Sequence, residues 1–263
     1  AHYAGVPQAG AFDRGALRRA NRLVGNRVDA AGLECVLGGL VLRARRHVML
    51  VVTGADVPLD VDGSSVERGE PVLLAPGASL RLGAARSGLR AYVGVRGGVA
   101  AAHELGSAST DLLSHLGPPP LADGDVLATA DAVLSDPVVD HAPEPALPHD
   151  PVLKVRLGPR ADHLTASGVA TLLGTSWTVS PRSDRVGLRL DGPTLDRAEA
   201  GELASEPTVR GAVQVPSDGR PVVFGPDHPT TGGYPVVAVV THDSLDALAQ
   251  LRPGDTVRFA ATH

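Results

Sequence analysis

Pro226-Asp227-His228-Pro229-Thr230-Thr231-Gly232-Gly233-Tyr234-Pro235 runs directly into the apolar stretch Val236 to Val240. The second part is short and Val-rich, as a buried strand is. The first is a polar turn stiffened by proline at its ends. Its glycine pair permits backbone dihedrals closed to other residues and lets another molecule approach the main chain. Two threonine hydroxyls, a carboxylate and an imidazole surround that pair. The stretch therefore reads either as an ordinary turn between Pro221–Gly225 and a strand at Val236–Thr241, or as a loop lining a site.

The same unit, a Gly/Pro/Asp turn leading into a short β-branched run, recurs in both directions and sets the fold class. In the first half it appears as Leu40–Arg45, Val48–Thr53 and Val57–Val61, with Asp62-Gly63 as a hairpin turn. Pro71–Leu74, Ser79–Leu82 and Leu89–Val95 continue it, and Asp123-Gly124-Asp125 turns toward another short strand. In the second half come Val152–Leu157, Trp177–Ser180, Gly187–Leu190, Val209–Val215, Val222–Gly225 and Thr256–Ala260. Helices are few. Asp13 can cap one from Arg14 to about Val24, with Gly25 as its stop; others are expected near 162–173 and 244–251. Many short strands with few helices predict a mainly β chain of barrels or sandwiches rather than a parallel βαβ sheet.

Five prolines fall between Asp131 and Pro151, among Asp, Glu, His and Ala. That composition predicts a linker at 136–151 between an N-terminal subdomain, 1–135, and a C-terminal one, 152–263. The halves echo each other: Pro76-Gly77-Ala78-Ser79-Leu80-Arg81-Leu82 resembles Pro253-Gly254-Asp255-Thr256-Val257-Arg258-Phe259.

Composition narrows the function. A net charge of −5 with 20% charged residues argues against general nucleic-acid binding, which needs a basic face. No window approaches the ~18 apolar residues of a membrane span. The start, Ala1-His2-Tyr3-Ala4-Gly5, shows no signal-peptide pattern, so the expected location is cytoplasmic. Cys35 is the single cysteine, which leaves no internal disulfide and no cysteine-based metal site. The histidines are scattered, so no metal site is expected. Lys154, the only lysine, follows Val152-Leu153, so the chain carries no GxxxxGK[ST] phosphate loop. Leu50 after Met49 leaves no Met-Lys pair for biotin attachment, and no biotin is expected on this chain.

The positive signals are anion-shaped. Ala85-Arg86-Ser87-Gly88-Leu89-Arg90 places two guanidiniums around a Ser-Gly turn, and Ser180-Pro181-Arg182-Ser183-Asp184-Arg185 offers two more. Arginine forks suit carboxylate or phosphate because two N–H donors meet two oxygens. Such a loop is equally well explained by internal ion pairs, Asp184 with either arginine. Glu206 and Gln214 are polar beside apolar strand positions and serve either a site or the backbone. Asp13, Asn21, Asn26 and Glu34 share that ambiguity.

These stretches together resemble the family of allophanate hydrolase subunit 2, also called the C subunit of bacterial 5-oxoprolinase (KipA-like), related to the carboxyltransferase domain of urea carboxylase. The matching residues span nearly the whole chain: Gly5-Val6-Pro7, Gly10-Ala11-Phe12-Asp13, Ala20 to Asn26, Leu33-Glu34, Thr53 to Asp56, Ala85 to Tyr92, Leu105-Gly106-Ser107 and Ser109-Thr110-Asp111. They continue with Ser183-Asp184-Arg185, Gly187, Ser205-Glu206, Gln214-Val215-Pro216 and Thr230 to Pro235. Pro229 stands where the family commonly has Gln, and Val186 where it has Met.

The resemblance implies two cyclophilin-like β-barrel domains with a few short helices. It implies a subunit of an ATP-dependent amide or lactam hydrolase, 5-oxoprolinase above all, with ATP as co-substrate. The implied partners are an allophanate hydrolase subunit 1-like protein (the PxpB or KipI type), a PxpA-like lactamase subunit and a small amide or lactam substrate. Two alternatives stand beside it: a carboxyltransferase moving a carboxyl group from carboxybiotin to urea or another amide, and a non-catalytic KipA-like regulator of a KipI-like partner. In the hydrolase reading Asp227, His228 and Asp184 are the proton-transfer candidates. Arg86, Ser87, Arg90, Arg182, Ser183, Arg185, Glu206, Gln214, Thr230, Thr231, Gly232, Gly233 and Tyr234 are the substrate-binding candidates. The Thr230–Tyr234 and Ser183–Arg185 loops are expected to converge, with Arg86 or Arg90 reaching them across a domain junction.

Overall fold

The computed structural model describes residues 5–137, 139, 141–198 and 203–262. The chain forms two compact units, each discontinuous in sequence. One comprises Ala1–Phe12, Glu104–Gly117 and Pro148–His263; the other comprises Asp13–His103 and Pro118–Leu147.

The unit that begins at Asp13 opens with α1 (Arg14–Leu23). Its start is set by the Asp13 side chain, which accepts from Ala16 N at 2.7 Å, an N-cap of the kind the residue type favours. Eight strands follow: β1 (Leu33–Val36), β2 (Val41–Arg43), β3 (Val48–Asp56), β4 (Leu59–Val61), β5 (Ser64–Val66), β6 (Val72–Leu74), β7 (Ser79–Leu82) and β8 (Ser87–Val95). They make two four-stranded sheets, ordered β1-β8-β3-β6 and β2-β7-β4-β5, with antiparallel neighbours throughout. Asp62 and Gly63, both at positive φ, form the β4–β5 hairpin turn expected of an Asp-Gly pair. Leu50, Val52, Leu74, Leu80, Leu82, Ala91 and Val93 lie buried in one apolar cluster. The stretch after Asp123 makes no regular strand; isolated bridges, Val99 to Thr129 and Asn26 to Val133, and backbone hydrogen bonds such as Ala130 N to Gly98 O at 2.9 Å tie it to the unit. Part of the Pro-rich stretch is anchored here as well: Glu144 takes a bidentate pair of hydrogen bonds from Arg19 at 2.9 and 2.8 Å and accepts from Gly54 N at 2.9 Å.

The other unit is built on a closed seven-stranded barrel. Its strands are β9 (Val152–Leu157), β10 (Trp177–Val179), β11 (Gly187–Asp191), β13 (Ala212–Gln214), β14 (Val222–Phe224), β16 (Val236–Val240) and β17 (Thr256–Ala261), in the order β10-β11-β14-β13-β16-β9-β17 and back to β10. Only β17 and β9 pair in parallel. Between them come α2 (Ala166–Gly174), α3 (Leu245–Ala249) and a two-stranded ribbon of β12 (Glu206–Pro207) with β15 (Thr231–Gly232). The core is the one a chain poor in aromatics must build: Leu153, Val155, Val179, Leu188, Leu190, Val213, Val215, Val223 and Val237 around Trp177, Phe259 and Phe12. Trp177 meets its polar need by donating to Leu172 O at 3.1 Å. Phe12 is wholly buried, which fixes the segment before it against the barrel.

The expected mainly β chain with a few short helices is the fold observed, with the closed barrel in its second half. Among the described residues no helix is long and apolar enough to cross a membrane.

Candidate functional site

The Val236–Val240 strand and its preceding loop can be followed residue by residue. β14 ends at Phe224, and Gly225 N donates to Val186 O at 2.9 Å, laying the chain against the turn before β11. Gly225 is required there, since a Cβ would sit 2.2 Å from Arg185 O. Asp227 follows. Its side chain is fully buried, and Arg185 meets it with Nε to Oδ2 at 2.9 Å and Nη2 to Oδ1 at 2.9 Å. The same Nη2 donates to Gly10 O at 2.7 Å, and Leu112 N donates to Asp227 Oδ2 at 3.2 Å. Four stretches distant in sequence, 5–12, 104–117, 180–187 and 225–235, thus meet at one carboxylate. Burial pushes the Asp227 carboxyl above the usual aspartate range. The Arg185 hydrogen bonds and charge pull it back, and the charge of Asp111 adds to the rise.

His228 stacks on Phe224, with ring centroids 5.9 Å apart and planes 14° from parallel. Its Nδ1 lies 2.7 Å from Pro229 O. A carbonyl only accepts, so Nδ1 carries the proton and Nε2 the lone pair in the neutral ring. Burial and then the Arg210 charge lower its pKa below the ordinary histidine value, while Pro229 O, Asp111 and Asp227 oppose them. Arg210 itself donates to Phe12 O and lies over the Phe12 ring at 5.7 Å.

Asp111 is the third buried titratable residue here. Its Oδ1 accepts from Leu113 N and Ser114 N, both at 2.9 Å, while Oδ2 is buried without a hydrogen-bond partner among the described residues. Leaving a buried acceptor unsatisfied costs about 1–3 kcal/mol, more for a charged group.

The remaining candidates divide. Arg182-Ser183-Asp184 shape their own turn: Asp184 Oδ1 accepts from Val186 N at 2.8 Å and Gly187 N at 3.1 Å, Ser183 Oγ accepts from Arg189 N at 3.0 Å, and Arg182 lies 3.8 Å from Asp191. Only Arg185 of that loop turns inward to the 226–235 stretch. Thr230 Oγ1 donates to Gly5 O at 3.2 Å, and its carbonyl accepts from Thr208 N. Thr231 and Gly232 form β15, paired with Pro207 and Glu206; Glu206 is gripped by Arg160, whose hydrogen bonds hold the Glu206 carboxyl below its usual range. Gln214 Nε2 donates to Tyr234 O at 2.9 Å, and Gly233 O accepts from Leu203 N at 2.7 Å.

Arg86, Ser87 and Arg90 belong to the other unit. Arg86 is exposed, and its backbone N donates to Asp56 O at 2.6 Å; Ser87 starts β8 opposite Asp56. Arg90 is buried with Nε 3.5 Å from Glu34 Oε1, and Glu34 Oε2 accepts from Tyr92 OH at 2.7 Å. Tyr92 OH in turn accepts from Asp13 N at 2.7 Å. Burial, then the charges of Glu34 and Asp13, push the Tyr92 phenol well above its ordinary value.

Gly10, Phe12, Asp111, Leu112, Thr208 and Arg210 are absent from the candidates drawn from sequence. Gly10, Phe12 and Asp111 stood among the family-matching residues with no chemistry attached. Leu112, Thr208 and Arg210 contribute backbone groups or lone side chains whose partners lie elsewhere in the chain, and no local pattern marks them.

Comparison with known proteins adds the relatives. The family model for the carboxyltransferase domain, subdomain A and B, matches residues 4–261. The 5-oxoprolinase C subunit of Haemophilus influenzae is 33% identical over 260 residues, which cover 98% of this chain and 83% of that protein. The protein of the same name from Escherichia coli is 32% identical, with 97% and 83% covered. Among solved structures, the urea amidolyase of K. lactis superposes with a TM-score of 0.93 at 29% identity, over 98% of this chain and 17% of that one.

Proposed function

This chain belongs to the carboxyltransferase domain family of subdomains A and B, and we propose that within it the chain serves as the C-type component of an ATP-dependent hydrolase of a small amide or lactam, with 5-oxoproline as substrate. The observation that carries this is one of similarity. The chain is 33% identical to a 5-oxoprolinase C subunit over 98% of its own length, and 29% identical to the K. lactis urea amidolyase.

The 226–235 stretch and its neighbours supply the chemistry. His228, held as the Nδ1–H tautomer with its pKa lowered by burial, offers Nε2 as a proton acceptor near neutral pH. Asp227 is the weaker base, because Arg185 and Leu112 N already occupy both of its oxygens. Its role is to hold Arg185 and the loop in place. Thr230, Thr231 and the Gly232-Gly233 backbone border the site. The arginines of the 180–185 loop face carboxylates, Arg185 with Asp227 and Arg182 near Asp191. That gives them little charge to spare for a triphosphate, and ATP enters as a co-substrate of the assembled enzyme with partner B- and A-type subunits.

The test is reconstitution of the three subunits with 5-oxoproline and ATP. Glutamate formation dependent on this chain is expected; none from the correctly assembled set overturns the reading. A second reading, carboxyl transfer to an amide from carboxybiotin on another protein, is favoured by the name of the matching family itself. Faster loss of the carboxyl group from a carboxylated biotin carrier, on adding this chain and an amide acceptor, would select it.

A further inference from the structure

Asp111 lies in the 104–117 segment, and its two oxygens are treated unequally. Oδ1 is locked by Leu113 N and Ser114 N at 2.9 Å each, and the backbone N donates to Leu116 O at 2.9 Å. The carboxylate therefore cannot turn to exchange its oxygens without breaking its own loop. Oδ2 is left buried, with no donor among the described residues, on a side chain only 2% exposed. The adjacent amide, Leu112 N, is hydrogen-bonded to Asp227 at 3.2 Å, and the Asp111 charge acts on both Asp227 and His228. Buried polar atoms are ordinarily hydrogen-bonded, and a carboxylate oxygen accepts but cannot donate.

We propose that Asp111 Oδ2 accepts a hydrogen bond from the N–H of the amide or lactam substrate, so that the site requires a substrate with an unsubstituted amide nitrogen. This rests on the amide-hydrolase reading and adds to it the group by which the substrate is recognised. Asp111 and Asp227 are both carboxylates here, and Arg185 is paired with Asp227. A site built around an acceptor binds an N–H and rejects the analogue in which a methyl replaces it, since the acceptor is then buried unpaired.

The experiment uses this chain alone with two probes, 2-pyrrolidinone and N-methyl-2-pyrrolidinone, and reads binding by saturation-transfer NMR. The N–H lactam is expected to bind about 10-fold or more tightly than its N-methyl analogue, as a hydrogen bond to a charged acceptor implies. Asp111→Asn keeps an oxygen for Leu113 N and Ser114 N but turns the Oδ2 position into a donor, and it is expected to bring the two probes within about 2-fold of each other. Equal binding of both probes by the unaltered chain, binding of neither, or a preference that survives in Asp111→Asn overturns the proposal. Glutamate formation by the assembled enzyme is a separate readout. Its failure counts against the proposed function, whereas lactam discrimination is read on this chain without partners or ATP.

Discussion

Arg185 grips Asp227 through two hydrogen bonds of 2.9 Å, and the carboxylate it holds is fully buried. The same guanidinium reaches Gly10 O at 2.7 Å, so one side chain ties the turn before β11 both to the 226–235 loop and to the residues preceding Phe12. Removing one member of a buried ion pair leaves an uncompensated charge and costs about 3–5 kcal/mol. Arg185→Ala is expected to lower the unfolding free energy by that amount, and Asp227→Asn, which removes the charge but keeps the shape, by less. Urea denaturation at unchanged m measures both. A loss below about 1 kcal/mol for Arg185→Ala, the range of exposed pairs, would show the pair to be solvated.

His228 gives a pH dependence with a definite sign. Its folded-state pKa lies below the ordinary 6.5, so the unfolded chain takes up the proton more readily than the folded one. The stability it contributes is present above about pH 6.5 and is lost as pH falls through the folded value. His228→Gln should flatten the decline in Tm between about pH 8 and pH 5, the span over which histidine titrates. An unchanged slope would assign the dependence to other groups. Asp227, whose pKa is raised by burial, acts in the opposite sense in the more acid range, where stability falls as pH rises through its folded value.

Two glycines near the same loop should respond differently to one added methyl. In Gly225→Ala the Cβ would lie 2.2 Å from the backbone oxygen of Arg185, which cannot yield without moving the turn. The expected cost is about 3 kcal/mol or more, the upper range for overpacking. In Gly232→Ala the nearest atom is Gln214 Nε2 at 2.6 Å, the end of a side chain that can swing away at the loss of its hydrogen bond to Tyr234 O. About 1 kcal/mol is expected there. Thermal or urea unfolding of the two variants side by side checks the order, and equal losses would contradict it.

Tyr92→Phe removes a hydroxyl that accepts from Asp13 N and donates to Glu34, each at 2.7 Å, in a fully buried position. The phenyl ring keeps the packing, so the expected loss of about 1–3 kcal/mol measures the polar groups left without it. No change in the urea midpoint would mean that water replaces the hydroxyl.

Local chemistry makes part of this molecule legible in the sequence itself. Asp13 caps α1 because a short polar side chain can reach an amide three residues on, and Asp62-Gly63 turns a hairpin because both residues accept positive φ. The Val236–Val240 strand was readable from its own composition, and repetition of that pattern determined a mainly β chain. The ribbon of Glu206–Pro207 with Thr231–Gly232 was not readable, because each strand is two residues long and neither carries an apolar pattern. The arginine loop at 182–185 could be read only as a set of cations. That Arg185 alone turns inward, while Asp184 folds back on Val186 N and Gly187 N, depends on Asp227, 42 residues away. Asp111 shows the limit most sharply. In the sequence it is one aspartate of a family-matching polar stretch with no chemistry attached; buried with one oxygen locked and the other without a donor among the described residues, it becomes the acceptor proposed for a substrate N–H. Propensity, capping and turn chemistry act within a few residues and are written in the sequence. Burial and pairing are properties of residues brought together from distant positions, and only the folded chain assigns them.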